Sequence, residues 1–174
     1  SGSTGIYREG KGTTWEGGQR VPCIVWYPKE IKAKSEIFNP LMGIDWVPTF
    51  ASVTKSKLSN NKIDGKNIWP TLTLESQDDP HEALFFYYHV NSLHGVRYGD
   101  WKMYFPHRYR TLNGKEGRDD GKPIKYEYVD FEEIELYNLK EDPSENKNVY
   151  DQFPNIANKI KALAEIKKRE LGDD

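Results

Sequence analysis

The 174-residue sequence is poor in sulfur, with one cysteine, Cys23, and two methionines. A single cysteine excludes an internal disulfide framework. No apolar run approaches the roughly 20 residues a bilayer-spanning helix needs. Neither sign of charge dominates: 25 Lys and Arg against 27 Asp and Glu leave a net charge of −2. There is thus no basic field of the kind that gathers nucleic acid. Internal repeats and low-complexity tracts are also missing. Aromatic residues are plentiful, at 13% of the chain within 36% hydrophobic, so a core with a modest apolar count still buries a large area. The length suits one domain, or one subdomain with a strip of another.

The densest local signal is Gly10-Lys11-Gly12-Thr13-Thr14-Trp15-Glu16-Gly17-Gly18. It sets one long cation between glycines that let backbone approach a ligand closely. Consecutive amides in a tight turn form an anion-binding concavity, and Lys adds a compact point charge. Sulfate or phosphate is the ligand such chemistry suits. A plain surface loop with a solvated Lys fits the same composition. A nucleotide P-loop fits worse. Gly5 to Lys11 satisfies the first seven positions of that motif, but Gly12 stands where Ser or Thr should hold the metal. Trp15-Glu16-Gly17-Gly18 is also poor helix material.

Along the chain, residues 1–20 read as loop. Val21–Tyr27 is a near-continuous apolar run, expected as a strand buried on both faces of a larger sheet. Asp45 is the expected N-cap of a helix to about Thr54, with Trp46, Phe50 and Val53 as its buried face. The charged stretch 75–80 marks a boundary, dividing the chain into 1–78 and 79–174. Beyond it come expected strands at Ala83–Val90, Gly95–Tyr98, Trp101–Phe105 and Ile134–Leu139, with Gly99-Asp100 as a tight hairpin connection. Trp101, Met103 and Phe105 alternate with Lys102 and Tyr104, the period of a half-buried strand. A closing amphipathic helix from about Phe153 to Leu171 carries Phe153, Ile156, Ala157, Ile160, Leu163, Ala164 and Leu171 on one face. A helix on an antiparallel sheet is an α+β arrangement.

Of the histidines, His81 reads as an exposed loop residue, His89 as a packing residue, and His94 as part of the turn before Val96. His107 opens a stretch of about twenty-five residues without a strong pattern, and long connections of this kind tend to be functional or disordered. That stretch contains Lys115, Arg118, Lys122 and Lys125.

The first motif, with Arg20, Pro22 and the run Cys23-Ile24-Val25-Trp26-Tyr27-Pro28 after it, resembles the second signature region of the formylglycine-dependent sulfatases, the arylsulfatase family. The likeness extends to Asp45-Trp46-Val47-Pro48-Thr49, to Asp64-Gly65-Lys66-Asn67, and to His94-Gly95-Val96-Arg97 with Trp101-Lys102. It continues at Glu135-Leu136-Tyr137-Asn138-Leu139 with Asp142-Pro143-Ser144-Glu145. It spans essentially the whole chain but only the C-terminal third or so of a family member.

The resemblance implies a C-terminal subdomain with a four-stranded antiparallel sheet packed on one helix. It also implies a strip, strand and helix, of the larger α/β domain of the alkaline-phosphatase superfamily. It places Lys11 on the substrate sulfate. A Pro-His-x-Tyr-Arg segment like Pro106 to Arg110 faces the cleft in related polysaccharide sulfatases. His107 and Arg110 are therefore candidates for substrate contact, with His94 a weaker one; the alternative is that they brace the sheet edge.

The family's nucleophile arises from Cys within Cys-x-Pro-x-Arg. Cys23 is followed by Ile24-Val25-Trp26-Tyr27 and does not fit. The formylglycine and Ca2+ are thus expected upstream, on the chain's own N-terminal domain. The start at Ser1, without initiator Met or signal peptide, agrees with a fragment that is inactive alone. Expected partners are a sulfated small molecule or glycan, with no nucleic acid and no membrane. The family's usual setting is periplasmic or secreted. A phosphonate monoester or phosphodiester hydrolase of the same superfamily, or a noncatalytic module binding acidic glycans, are the alternatives.

Overall fold

The computed structural model describes residues 3–89, 91–115 and 125–171. In chain order the helices are α1 (Glu16–Gln19), α2 (Trp46–Thr54), α3 (Trp69–Leu72) and α4 (Pro154–Leu171). The strands are β1 (Leu84–Tyr88), β2 (Ser92–Tyr98), β3 (Trp101–Tyr104), β4 (His107–Thr111), β5 (Glu127–Phe131) and β6 (Glu135–Asn138). By contact, residues 1–21 group with 83–174 as one unit, and 22–82 form a second. The segment carrying Lys11 therefore packs with the C-terminal sheet.

In the first unit, β1, β2, β3 and β6 form an antiparallel sheet in that order. Tyr98 pairs directly with Trp101 across the expected hairpin. Gly99 sits at φ +55 in its turn, where a side chain would be strained. Val96, Met103 and Leu136 point from the sheet onto Ala157, Ile160 and Ala164 of α4. This is the α+β arrangement the sequence implied. Phe153 and Leu171, at the ends of the expected apolar stripe, stay 40% and 53% exposed. Phe153 lies just before the helix and leans on Trp101, with ring centroids 4.6 Å apart.

β3 departs from the half-buried reading. Lys102 and Tyr104 are as fully buried as Met103. The reason is a second layer on the opposite face of the sheet, where Trp15, Tyr104, Tyr109, Tyr137 and Leu139 cluster with Phe131. A long connection after His107 was also expected. Instead β4 and β5 pair antiparallel, from His107 opposite Phe131 to Thr111 opposite Glu127, and Lys115 pairs with Glu127. Alternating aromatic and charged side chains on both arms make a ribbon the more favourable state. Arg118 and Lys122 lie outside the described residues.

In the second unit, α2 forms where expected, but Asp45 does not cap it. Its carboxylate accepts from the backbone amides of Met42 at 2.8 Å and Lys66 at 2.9 Å, and its Oδ1 lies 2.8 Å from His81 Nε2. His81 is accordingly buried rather than an exposed loop residue. The helix buries Pro48 and Thr49, while Phe50 is exposed and stacks on Trp46 at 5.4 Å. Thr49 is drawn inward because its hydroxyl donates to Asp45 O at 2.6 Å and accepts from the Ile68 amide at 3.0 Å.

Val21–Tyr27 forms no strand. Extended backbone becomes a strand only when a neighbour completes its ladder, and no strand among the described residues pairs with it. Ile24 and Trp26 are exposed.

Candidate active-site loop

Residues 8–18 close on themselves. The Thr13 amide and hydroxyl both donate to Gly10 O, at 3.2 and 3.0 Å. The Gly17 amide reaches Arg8 O at 2.9 Å, and the Gln19 side-chain amide donates to Thr13 O at 2.8 Å. Both trailing glycines are required by proximity. A Cβ on Gly17 would stand 2.4 Å from the carbonyl oxygens of Arg8 and Glu9, and one on Gly18 would stand 2.4 Å from that of Thr13. These neighbours are backbone and cannot swing aside. Gly17→Ala is expected to destabilise the protein by about 1–3 kcal/mol, the usual cost of overpacking, read as a lowered Tm. The following α1 is only four residues long, and a turn rather than a strand precedes the loop, so the nucleotide-loop reading is not supported.

Lys11 is exposed at the tip of this turn. Gly12, at φ +99, lies directly against Arg110: a Cβ there would fall 1.8 Å from the guanidinium Nη2. The structure thus brings the Lys11 turn and Arg110 together. Arg110 also lies 4.6 Å over the Tyr126 ring, and its buried Nε has no hydrogen-bond partner among the described residues. The Arg110 guanidinium thus lies against the residue next to Lys11, and guanidinium and ammonium groups both suit an anion.

Beneath the loop, Trp15 is wholly buried, 4.1 Å from Tyr104 and 5.9 Å from each of Tyr109, Phe131 and Tyr137. The Arg8 guanidinium lies 3.6 Å over the indole face, and its Nη1 donates to Glu145 O at 2.9 Å. Lys102 Nζ donates to Thr14 O and to Glu16 Oε1, both at 2.7 Å. Glu145 accepts the Tyr104 hydroxyl at 2.5 Å and the Glu16 amide at 2.8 Å. Arg97 reaches Glu16 Oε2 at 3.3 Å. Burial pushes Lys102 down from the ordinary lysine range, opposed by the charges of Glu145 and Glu16. Burial also pushes the Glu145 carboxyl up, opposed by Lys102. Tyr104 is raised well above the usual phenol range by burial, so its hydroxyl stays a donor. Lys102 and Glu145 were legible as motif positions and Tyr104 as part of the β3 alternation, but sequence reasoning assigned none of them a role. The signal was a Lys and a Glu fixed beside aromatic residues, which alternation alone reads as solvent-facing.

His94 and His107 come together as a stacked pair, with centroids 3.9 Å apart. His94 lies within β2 rather than in a turn. Both are buried, on the side of β4 opposite Arg110. His107 Nδ1 lies 2.6 Å from Phe105 O. A carbonyl only accepts, so Nδ1 carries the proton and Nε2 keeps a lone pair, buried without a partner among the described residues. His89 instead lines an open cleft of about 370 Å³ with Ser92, Arg108 and Tyr128.

Burial, then the neighbouring charges of His107 and His89, lower His94 from 6.5 to about 4. Burial lowers His107 as well. A folded value below the unfolded one stabilises the fold above the unfolded pKa, and that stability is lost as protons bind. Tm is therefore expected to fall as pH drops from 6.5 toward about 4, and a His94→Phe variant, which keeps a ring in the stack, should show a shallower fall.

Among the described residues no three His, Cys, Asp or Glu side chains are grouped to hold a metal ion. Cys23 is an exposed free thiol. The described residues therefore do not fit a Ca2+ centre or a formylglycine precursor. Among them, no helix is long and apolar enough to cross a membrane.

Residues 4–170 match the family described as N-sulphoglucosamine sulphohydrolase, C-terminal. Arylsulfatase A of Bos taurus is 32% identical over 174 residues, covering 98% of this chain and 33% of that protein. Steryl-sulfatase of Mus musculus is 37% identical over 109 residues, covering 60% of this chain and 17% of its own length. The chain thus spans a third or less of these relatives. A solved structure described under the metabolism of multiple glycosaminoglycans by Bacteroides thetaiotaomicron has a TM-score of 0.73 at 27% identity, covering 95% of this chain and 32% of that one. The PsFucS1 sulfatase of Pseudoalteromonas sp. shares the fold, with a TM-score of 0.76 at 19% identity over 96% of this chain and 33% of its own. A match that runs over nearly the whole sequence places this chain, with its glycine-closed lysine turn, in the N-sulphoglucosamine sulphohydrolase C-terminal family of the sulfatases.

Proposed function

We propose that this chain is the C-terminal part of a sulfatase that hydrolyses sulfate esters, and that Lys11 binds the sulfate group. The observation that carries the reading is the exposed Lys11 turn set against Arg110. During hydrolysis, negative charge builds on the sulfate oxygens and on the departing alcohol oxygen. A fixed ammonium stabilises that charge more than it stabilises the ground state. Arg110 adds a planar donor for an oxyanion or for a neighbouring sugar hydroxyl. His107, whose Nε2 has no partner among the described residues, and His94 stacked on it are the further candidates, on the other side of β4 from Arg110.

A formylglycine would supply the nucleophile and a Ca2+ ion would offset the charge of the sulfate. Both would stand on an N-terminal α/β domain that the segment 1–78 would complete, although residues 1–21 pack with the C-terminal subdomain, 79–174. The apolar, exposed Ile24 and Trp26 are what a strand awaiting that sheet would present. A sulfated sugar or polysaccharide is the proposed substrate class, since the glycosaminoglycan-related structure is similar over nearly this whole chain. A periplasmic or secreted setting follows from the family alone.

The test is turnover of chromogenic aryl sulfate, phosphate diester and phosphonate ester by a full-length sulfatase carrying this sequence. Preferred turnover of the sulfate ester is expected. Preferred turnover of either phosphorus ester would overturn the assignment in favour of a phosphohydrolase of the same superfamily.

A further inference from the structure

We propose that Lys102, Tyr104 and Glu145 are positioning residues for the sulfate site: they clamp the Thr14–Glu16 stretch onto the C-terminal sheet and so fix where the Lys11 ammonium stands. The inference rests on the reading of Lys11 as the sulfate ligand.

The Thr14 carbonyl and the Glu16 amide and Oε1 are held by these three side chains, while Glu16 Oε2 meets Arg97 at 3.3 Å. Thr14 O receives Lys102 Nζ at 2.7 Å, and the Tyr104 oxygen lies 3.1 Å from it with its one proton directed at Glu145 Oε1, the nearer acceptor at 2.5 Å. The Glu16 carboxylate receives Lys102, and the Glu16 amide is held by Glu145 Oε2 at 2.8 Å. Glu145 also holds Arg8 at the loop's other end through its backbone carbonyl. Both ends of the Lys11 turn are thereby tied to one residue. Glu145 stands at φ +54, a left-handed conformation that is unfavourable for a non-glycine residue and persists only where surrounding contacts impose it. Lys102, Glu16 and Glu145 are all buried, so no water competes for these bonds.

Lys11 itself makes none of these contacts, and it stands only three residues before Thr14. A compact charge on a flexible stem is useful to a reaction only if its backbone is held, and misplacement by about 1 Å costs on the order of 10²-fold in rate. A buried charged cluster is a poor source of stability compared with apolar packing. Fixing the register of a functional loop is a purpose that such packing would serve less well.

The experiment is a set of double-mutant cycles in a full-length sulfatase carrying this sequence, reading kcat/KM for an aryl sulfate at pH 7.5. The variants are Lys11→Ala, Glu145→Gln and Tyr104→Phe, alone and with Lys11→Ala. Tyr104→Phe keeps the ring in the aromatic cluster and serves if Glu145→Gln fails to fold. Each clamp variant alone is expected to lower kcat/KM by about tenfold or more. In the Lys11→Ala background the same change should have almost no further effect, because its route is already gone. Parental kcat/KM in the clamp variants, or losses that multiply with that of Lys11→Ala, would overturn the clamp while leaving Lys11 at the sulfate. A parental rate for Lys11→Ala itself would remove both the sulfate reading and the clamp built on it.

Discussion

Replacing Lys11 by Ala in a full-length sulfatase should lower kcat/KM for an aryl sulfate by about 10²–10³-fold, the range seen when one preorganised donor is removed from a developing oxyanion. The fold should not notice. Lys11 is exposed, and the loop is closed by Gly10, Thr13, Gly17 and Gln19 without it. An unchanged Tm beside a large kinetic loss would separate chemistry from stability. The loss should fall mainly on kcat if the ammonium meets charge that grows in the transition state, and on KM if it grips the ground-state sulfate equally well. Lys11→Arg should recover only part of the rate, since a planar fork cannot occupy the place of a point charge.

Lys102→Met should be the most destabilising single change in the sheet, at about 3–5 kcal/mol, because it leaves the buried Glu145 without its cation and Glu16 with only the more distant Arg97 and Arg20. Met fills much of the stem's volume, so the loss is electrostatic rather than a cavity effect. Its pH dependence has a definite sign. Burial already raises the Glu145 carboxyl, and Lys102 is its largest opposing influence. Without that cation the folded value rises further above the unfolded one. A carboxyl with a raised folded pKa contributes its stability at low pH and loses it as pH climbs through the folded value. The gap in unfolding free energy between parent and Lys102→Met should therefore narrow from pH 8 toward pH 5, as measured by denaturant titration. A gap independent of pH would mean the carboxylates are not the source.

The sheet and its helix were legible because their information is local. Gly99-Asp100 between aromatic runs names its own hairpin, and Ala157, Ile160 and Ala164 recur at helical spacing onto Met103 and Leu136. The Lys11 turn read equally as an anion site or a solvated loop from its residues, and only the family resemblance favoured the first. The second face of β3 was not. Lys102 and Tyr104 read as solvent-facing by alternation, and only a loop almost ninety residues earlier, ending at Glu16, turns them into core. His81 was read as exposed for the same reason, since its partner Asp45 lies far back in sequence. Asp45 looked like a helix cap because an N-cap and a buried acceptor use the same residue types. Val21–Tyr27 marks the opposite error. Its composition is that of a strand, but a strand needs a ladder that its own residues cannot supply.

The most direct measurement is a crystal structure of a full-length sulfatase carrying this sequence with sulfate or a slowly turned-over sulfate ester bound. The account predicts Lys11 Nζ at about 2.7–3.0 Å from a sulfate oxygen, the span of a charge-assisted hydrogen bond, with Thr14 O still held by Lys102 and Tyr104 still donating to Glu145. A sulfate bound elsewhere, with the Lys11 side chain directed into open solvent, would contradict it.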